Sequence, residues 1–255
     1  SPKVDLIDGP SIIQRYLSLN TMVKPLNNPK VRQAINYAIN KEALVKVAFS
    51  GYAIPAEGVL PKGVDYGIKL GPWPYDPKKA RELLREAGYP NGFETTLWSA
   101  YNHTTAQKVI QFLQQQLAQV GIKAQVQALE AGQRVEKVES WAEPATAPVR
   151  LYYVGWSSST GEADWATRPL LASESFPPRL FNTAYYKNDA VDAAIRKALV
   201  TTDRTQKAQL YADAQKQIWK DAPWAFLVTE RLVSVRARNL SGFYVMPDAS
   251  YNFDE

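Results

Sequence analysis

FETTLWSAYNHTTAQKVIQFLQQQLAQVGIKAQVQAL, residues Phe93–Leu129, is the stretch on which the fold turns. An Asn91–Gly92 turn leads into a strand-length run, Phe93 to Trp98, rich in β-branched and aromatic residues. Ala106, Val109, Ile110, Leu113, Leu117 and Val120 then recur at helical spacing, and Gly121 closes the helix. A second strand-length run follows, Ile122 to Leu129. Strand, helix and strand in succession predict two parallel neighbours with a right-handed crossover.

Working outward, Val149 to Val154 (VRLYYV) reads as another buried strand of the same sheet. It breaks at Gly155 into a polar loop holding Trp156, Glu162, Asp164 and Trp165, which leads to a short helix. Strand ends of this kind carry ligands in α/β folds. On the N-terminal side, Asp76–Pro77 is a helix start and Gly88 its stop, with Ala80, Leu83, Leu84 and Ala87 on one face. Val31 to Phe49 reads as two helices, the second capped by Asn40. Ser11 to Leu19 is a strand, Ser1 to Pro10 has no clear period, and the Gly- and Pro-rich segment Gly51 to Trp73 reads as an extended loop. Towards the C-terminus, Ser173 to Lys187 is loop. Two helices follow, with Val191, Ala194, Ile195 and Leu199, then Tyr211, Ala214 and Ile218, on their core faces. Trp224 to Val235 reads as a strand interrupted at Glu230–Arg231, and Leu240 to Val245 as a last short strand.

Composition narrows the chemistry. The chain has 255 residues, 45% hydrophobic and 22% charged, and no apolar run approaches the ~20 residues of a membrane helix. No signal peptide stands at its start, so one was removed or the chain begins inside a longer protein. With no cysteine, disulfides, thiolate metal sites and cysteine nucleophiles are excluded. The single histidine, His103, excludes multi-histidine metal sites; it stands just ahead of a helix, where a capping role is expected. The net charge of +5 is spread along the chain without a basic run, so nucleic acid is not an expected partner. Glu162 and Asp164 together suggest a glycosidase-like carboxylate pair, but no nucleophile supports it. The seven tryptophans and fourteen tyrosines are enough to line a cleft as well as a core.

Seven blocks, in this order, resemble the peptide-binding branch of the periplasmic solute-binding proteins that serve ABC importers. They are VRQAINYAINKEALV (Val31–Val45) with the following GYAIPAEGVLP, YDPKKARELLREAGYPNGFE (Tyr75–Glu94), QVGIKAQVQ (Gln119–Gln127), GWSSSTGEADW (Gly155–Trp165), FNTAYYKNDAVDAAI (Phe181–Ile195), AQKQIWKDAPWAFL (Ala214–Leu227) and LSGFYV (Leu240–Val245). RPLLASESF, FNTAYYKN and DAPWAFLVTE are most similar to the glutathione-binding member. The resemblance implies an α/β fold, a mixed sheet flanked by helices, forming the C-terminal lobe of a two-lobed, type II-like periplasmic binding protein. It divides the chain into a crossover strand and remnant of the first lobe (1–20), the ligand-binding lobe (21–225), and a return strand with a second remnant (226–255). The family's first half has no counterpart here. The implied partners are glutathione or a short peptide, the transporter's permease and the missing N-terminal lobe. The implied role is binding without a cofactor rather than catalysis, and the implied location is the periplasm.

The resemblance also assigns roles. Asp164 falls on the acidic position of the family's ligand loop, which takes the ligand ammonium; a helix cap would equally favour Asp there. Where dipeptide-binding relatives carry an arginine near the start of the long helix, this chain has Gln107 and Lys108. Either Lys108 replaces it as a point charge or the missing half holds the carboxylate, since lysine does not reproduce a bidentate fork. Arg134 is a second carboxylate candidate, and an exposed helix face is its alternative. Trp98 and Trp156 end two strands of the sheet and are candidates for cleft walls or for the core, with Tyr101 and Asn182 as further cleft candidates. Two non-transport roles stay open: a hydrolase, and a chaperone-like docking module on the same fold.

Overall fold

The computed structural model describes residues 3–240, 242 and 244–252. Their main sheet has six strands in the order β2-β6-β1-β5-β3-β4: β1 (Val4–Leu19), β2 (Ala53–Pro55), β3 (Phe93–Ser99), β4 (Ile122–Ala128), β5 (Leu151–Ser157) and β6 (Trp224–Ala237). β3 runs parallel to both β4 and β5, as the strand–helix–strand reading requires, while β1 is antiparallel to β5 and β6. The sheet is therefore mixed.

Helices cover both faces. On one side α1 (Pro29–Ala38), α2 (Lys41–Ala48), α3 (Pro77–Glu86) and α4 (Thr104–Ala118) pack on Leu17, Leu97, Leu151, Tyr153 and Leu227. The boundaries follow from the caps. Asn40 accepts from the Ala43 N–H at 2.9 Å, Asp76 from Lys79 at 2.9 Å, and His103 Nδ1 from Ala106 at 3.3 Å. The α4 stripe Ala106, Val109, Ile110, Leu113 and Leu117 is buried along its length, and each leucine there contributes roughly 1.5–3 kcal/mol. Gly92 must be glycine: its φ is +74°, and a Cβ would fall 1.9 Å from the Gly121 carbonyl oxygen, where the start of β3 meets the start of β4.

The opposite face carries α6 (Ala163–Leu171), α7 (Asp189–Val200) and α8 (Arg204–Asp221) over Tyr16, Trp224 and Phe226. Tyr16 and Trp224 stack at 3.8 Å across β1 and β6. A smaller cluster of Trp98, Tyr152, Tyr185 and Val138 lies beside it, under α5 (Ala131–Arg134) and the wider turn Val135–Glu139 that continues it.

Four segments differ from the sequence reading. β1 starts at Val4, because Val4–Pro10 pairs with Arg231–Ala237 as a two-stranded ribbon beyond the sheet. Both faces of that ribbon meet solvent in part, so its residues carry no clean alternation. The Gly51–Trp73 loop contains β2, which pairs with Val228–Glu230. β6 runs unbroken through Glu230 and Arg231, whose charges are matched by Arg15 and Asp8. β5 continues through Gly155 to Ser157, so Trp156 sits in a strand. Of the last expected strand, Tyr244–Val245 (β7) pairs with Tyr251–Asn252 (β8); Ser241 and Phe243 lie outside the described residues.

Candidate functional site

The parallel strands β3, β4 and β5 all point their carboxyl ends the same way, and a recess of about 200 Å³ opens there. Tyr101 enters it from just beyond β3, Arg134 from beyond β4, and Val154, Gly155 and Trp156 from the end of β5. Tyr16, Tyr152, Phe181 and Thr183 complete much of the wall. Larger hollows exist, about 330 Å³ against β2, about 410 Å³ on the ribbon and about 360 Å³ beside Tyr37, Trp73 and Trp219. None lies at the ends of the parallel strands, and none gathers aromatic rings with an opposed pair of charges; the third has rings but only lysines.

The recess is built by strand alternation. Gln14, Tyr16 and Ser18 on β1 lie opposite Trp156, Val154 and Tyr152 on β5, so these side chains share one face. The Trp156 indole is held by Nε1 donating to the Trp165 carbonyl at 2.7 Å, and its ring lies 5.4 Å from that of Phe181. Tyr101 Oη accepts from the Gly155 N–H at 3.1 Å. The Tyr152 hydroxyl is buried without a hydrogen-bond partner, and its pKa is pushed far up by burial and by nearby Glu139, against a lowering by Arg134. An unpartnered hydroxyl in such a wall suits a polar ligand atom. Arg134 Nε lies 2.9 Å from Glu139 Oε1, an ion-pair contact whose angle is not that of a hydrogen bond.

A charged pair borders the recess at Gly155 and Tyr101 without lining it, on the other face of β1 and β5 from Tyr16 and Val154. Arg15 on β1 lies directly opposite Gly155, and its Nε meets Glu230 Oε1 on β6 at 2.6 Å. The guanidinium carbon stands 4.8 Å from the centre of the Tyr101 ring. A Cβ on Gly155 would lie 2.4 Å from Arg15 Nη1 and 2.7 Å from Cδ, so glycine is what lets the side chain cross the strand. Burial alone would lower the Arg15 pKa; Glu230, with Tyr101 and Tyr153, outweighs it and raises the value, so the group is always charged.

Of the residues singled out in the sequence, Tyr101, Trp156 and Arg134 come together on this recess. Trp98 is next to it, in register with Tyr152, but its ring is buried in the smaller cluster with Lys137 Nζ 5.7 Å away. Asn182 lies between two lining residues, yet its own amide is spent on the scaffold: it donates to the Ala172 and Tyr186 carbonyls and accepts from the Tyr186 N–H. Lys108 is exposed on α4. Asp164 stands in the first turn of α6, where it pairs with Arg168 and makes no cap; Glu162 holds the cap position. Arg15 was not singled out in the sequence, and Glu230 was read only as an interruption of a strand. Their signal was the lone Arg15 inside one apolar strand run, SIIQRYLSL, and the adjacent Glu230 and Arg231 inside another, WAFLVTERLV.

Among the described residues no group of acidic or histidine side chains is arranged to hold a metal, and no helix is long and apolar enough to cross a membrane.

The comparisons with known proteins agree with this architecture. The family model for bacterial extracellular solute-binding proteins, family 5 (middle), matches residues 1–177. The glutathione-binding protein GsiB of Pectobacterium atrosepticum is 63% identical over 253 residues, which is 99% of this chain and 49% of that protein. GsiB of Escherichia coli K12 is 59% identical over 252 residues, again 99% against 49%. Among solved structures, the ABC transporter-associated periplasmic binding protein DppA of Helicobacter pylori, in complex with the peptide STSA, superposes with a TM-score of 0.85 at 31% identity, covering 98% of this chain and 47% of that one. The chain thus spans about half the length of the curated relatives it matches. It belongs to family 5 of the bacterial extracellular solute-binding proteins.

Proposed function

We propose that this chain is the C-terminal half of the substrate-binding component of an ABC importer, which binds glutathione or a short peptide in the periplasm and hands it to the membrane permease. The observation that carries this reading is the half-open recess at the strand ends. Its aromatic walls, unpartnered Tyr152 hydroxyl, lining Arg134 and Glu139 and the neighbouring Arg15–Glu230 pair suit a small zwitterion, and one side of it is open. Residues 1–20 and 226–255 each hold a strand that crosses to an N-terminal lobe together with a remnant of that lobe, and 21–225 act as one jaw. Ligand bridging the jaws favours a closed form, and that form docks on the permease. The role is binding, without cofactor or catalysis.

The relatives' name favours glutathione. Di- or oligopeptides are the second reading, favoured by the peptide held in the Helicobacter structure. Calorimetric titration of glutathione into this chain, and into the protein with its N-terminal half in place, tests the proposal. Binding by the longer protein only is expected. Equal affinity in both would place the whole site inside this half and end the two-jaw reading. If neither binds glutathione, the ligand assignment fails and peptides take its place.

A further inference from the structure

The ion pair beside the recess leaves one end of its fork open, unlike two of the chain's other arginine pairs. Arg168 grips Asp164 and Arg231 grips Asp8 with the Nε–Nη2 fork, using both carboxylate oxygens. Arg15 gives Glu230 only its Nε. Among the described residues, neither Nη1 nor Nη2 of Arg15 donates a hydrogen bond, and Glu230 Oε2 accepts none. None of these three atoms is fully buried, since none is among the buried unpartnered atoms, although the two side chains are only 16% and 22% exposed. The arrangement is fixed from several sides: the Tyr101 ring beside the guanidinium, Gly155 beneath it, and Glu230 at its Nε. Tyr101 and Gly155 also line the recess, so the pair meets it across these two residues, with Arg15 itself on the opposite face of β1.

An immobile guanidinium with its end-on fork free is a carboxylate receptor. A carboxylate oxygen beside it, equally free, is an ammonium receptor. The two lie within one ion-pair contact of each other, so they match a ligand whose carboxylate and ammonium sit on the same carbon. An ordinary α-linked peptide puts these groups at opposite ends. A γ-linked glutamyl peptide keeps both on its glutamyl α-carbon. We propose that Arg15 and Glu230 together hold the free α-amino-acid head of a γ-glutamyl peptide, Arg15 Nη1 and Nη2 on its carboxylate and Glu230 Oε2 on its ammonium, and thereby select γ-linked over α-linked ligands.

The inference rests on the small-zwitterion reading of the recess and adds the linkage to it. The test is calorimetry on the protein with its N-terminal half in place, using glutathione, its α-linked isomer Glu-Cys-Gly, and N-acetyl-glutathione. The wild type is expected to prefer glutathione over the α-isomer by about 10- to 100-fold, the scale of one charged hydrogen-bonded contact. Arg15→Gln removes that preference. In Glu230→Gln, N-acetylation of the ligand costs nothing further. Thermal unfolding of each variant separates lost binding from lost folding, and the double variant Arg15→Gln/Glu230→Gln keeps a neutral hydrogen-bonding pair should a single change leave a lone charge. Equal binding of both isomers by the wild type, or a linkage preference that survives in folded Arg15→Gln, overturns the inference while leaving the binding role intact. Binding of none of the three ligands defeats the glutathione reading itself, and this inference with it.

Discussion

Asp164 and Arg168 close on each other one turn apart on α6: Arg168 Nε lies 2.9 Å from Oδ1 and 3.2 Å from Oδ2, and Nη2 lies 2.7 Å from Oδ2. Both carboxylate oxygens are engaged, and the hydrogen bond to Asp164 raises the Arg168 pKa. Asp164 is therefore already neutralised within its own helix, unlike Glu230, which keeps one oxygen open. The pair is 15–25% exposed, so its contribution is that of a partly solvated i,i+4 pair. Asp164→Asn is expected to cost about 0.2–1 kcal/mol in urea unfolding, the range of such pairs. A loss several times larger would mean that Asp164 supports more than its own helix.

Gly155→Ala places a methyl against the Arg15 side chain, not against backbone. The protein can yield by moving Arg15 off Tyr101 and Glu230. The expected result is a stability loss of about 1–2 kcal/mol, at the low end of overpacking, together with a tenfold or greater fall in ligand affinity, the scale of one charged contact. Gly92→Ala is the contrast: its Cβ meets the Gly121 backbone at a positive φ, so folding suffers first. If Gly155→Ala leaves binding untouched, Arg15 does not reach the ligand.

Lys41 is buried at the start of α2, with its Nζ on the Asn36 and Trp73 carbonyls, and burial lowers its pKa from 10.5 to about 7. Between those two values the unfolded chain holds a proton that the folded chain has released, so stability rises with pH; below about 7 both states are protonated and the slope vanishes. Urea midpoints measured from pH 7 to about 9.5, before unfolded tyrosines titrate near 10, should climb for the wild type. They should climb less for Lys41→Met, which has no proton to release. The two curves running parallel would show that Lys41 is not the source.

Trp156 lines the recess, whereas Trp98 is packed beside it. Ligand-induced change in tryptophan fluorescence is expected to be lost or strongly reduced in Trp156→Phe and retained in Trp98→Phe. The reverse pattern would move the ligand towards the far side of Tyr152.

The helices and the parallel strands were legible because each carries its own period and stop signals: Asp76–Pro77 to Gly88, or His103 to Gly121. β2 was hidden because a three-residue edge strand is too short to show alternation. Val4–Pro10 was hidden because neither face of a two-stranded ribbon is fully covered. Trp156 was picked for its place at an expected strand end, Tyr101 as a cleft candidate and Arg134 as a carboxylate candidate, and all three line the recess. Asn182 was not separable from them, since a buried amide serving three backbone groups and an amide facing a cleft have the same letter. Arg15 and Glu230 pair across 215 residues, and only the β1–β6 register brings them together.

That register is interrupted between Pro10 and Gln14 and again between Arg15 and Tyr16. On the far side of the breaks the two strands pair with no third strand among the described residues, and they leave Leu6, Val233 and Val235 exposed. A ladder with missing rungs is held there by side chains instead: Arg15 on Glu230, Ser11 Oγ on the Glu230 carbonyl and Thr229 Oγ1 on Gln14 Oε1. The arm leaves the sheet on side-chain braces rather than on backbone rungs, and the Arg15–Glu230 pair is one of those braces.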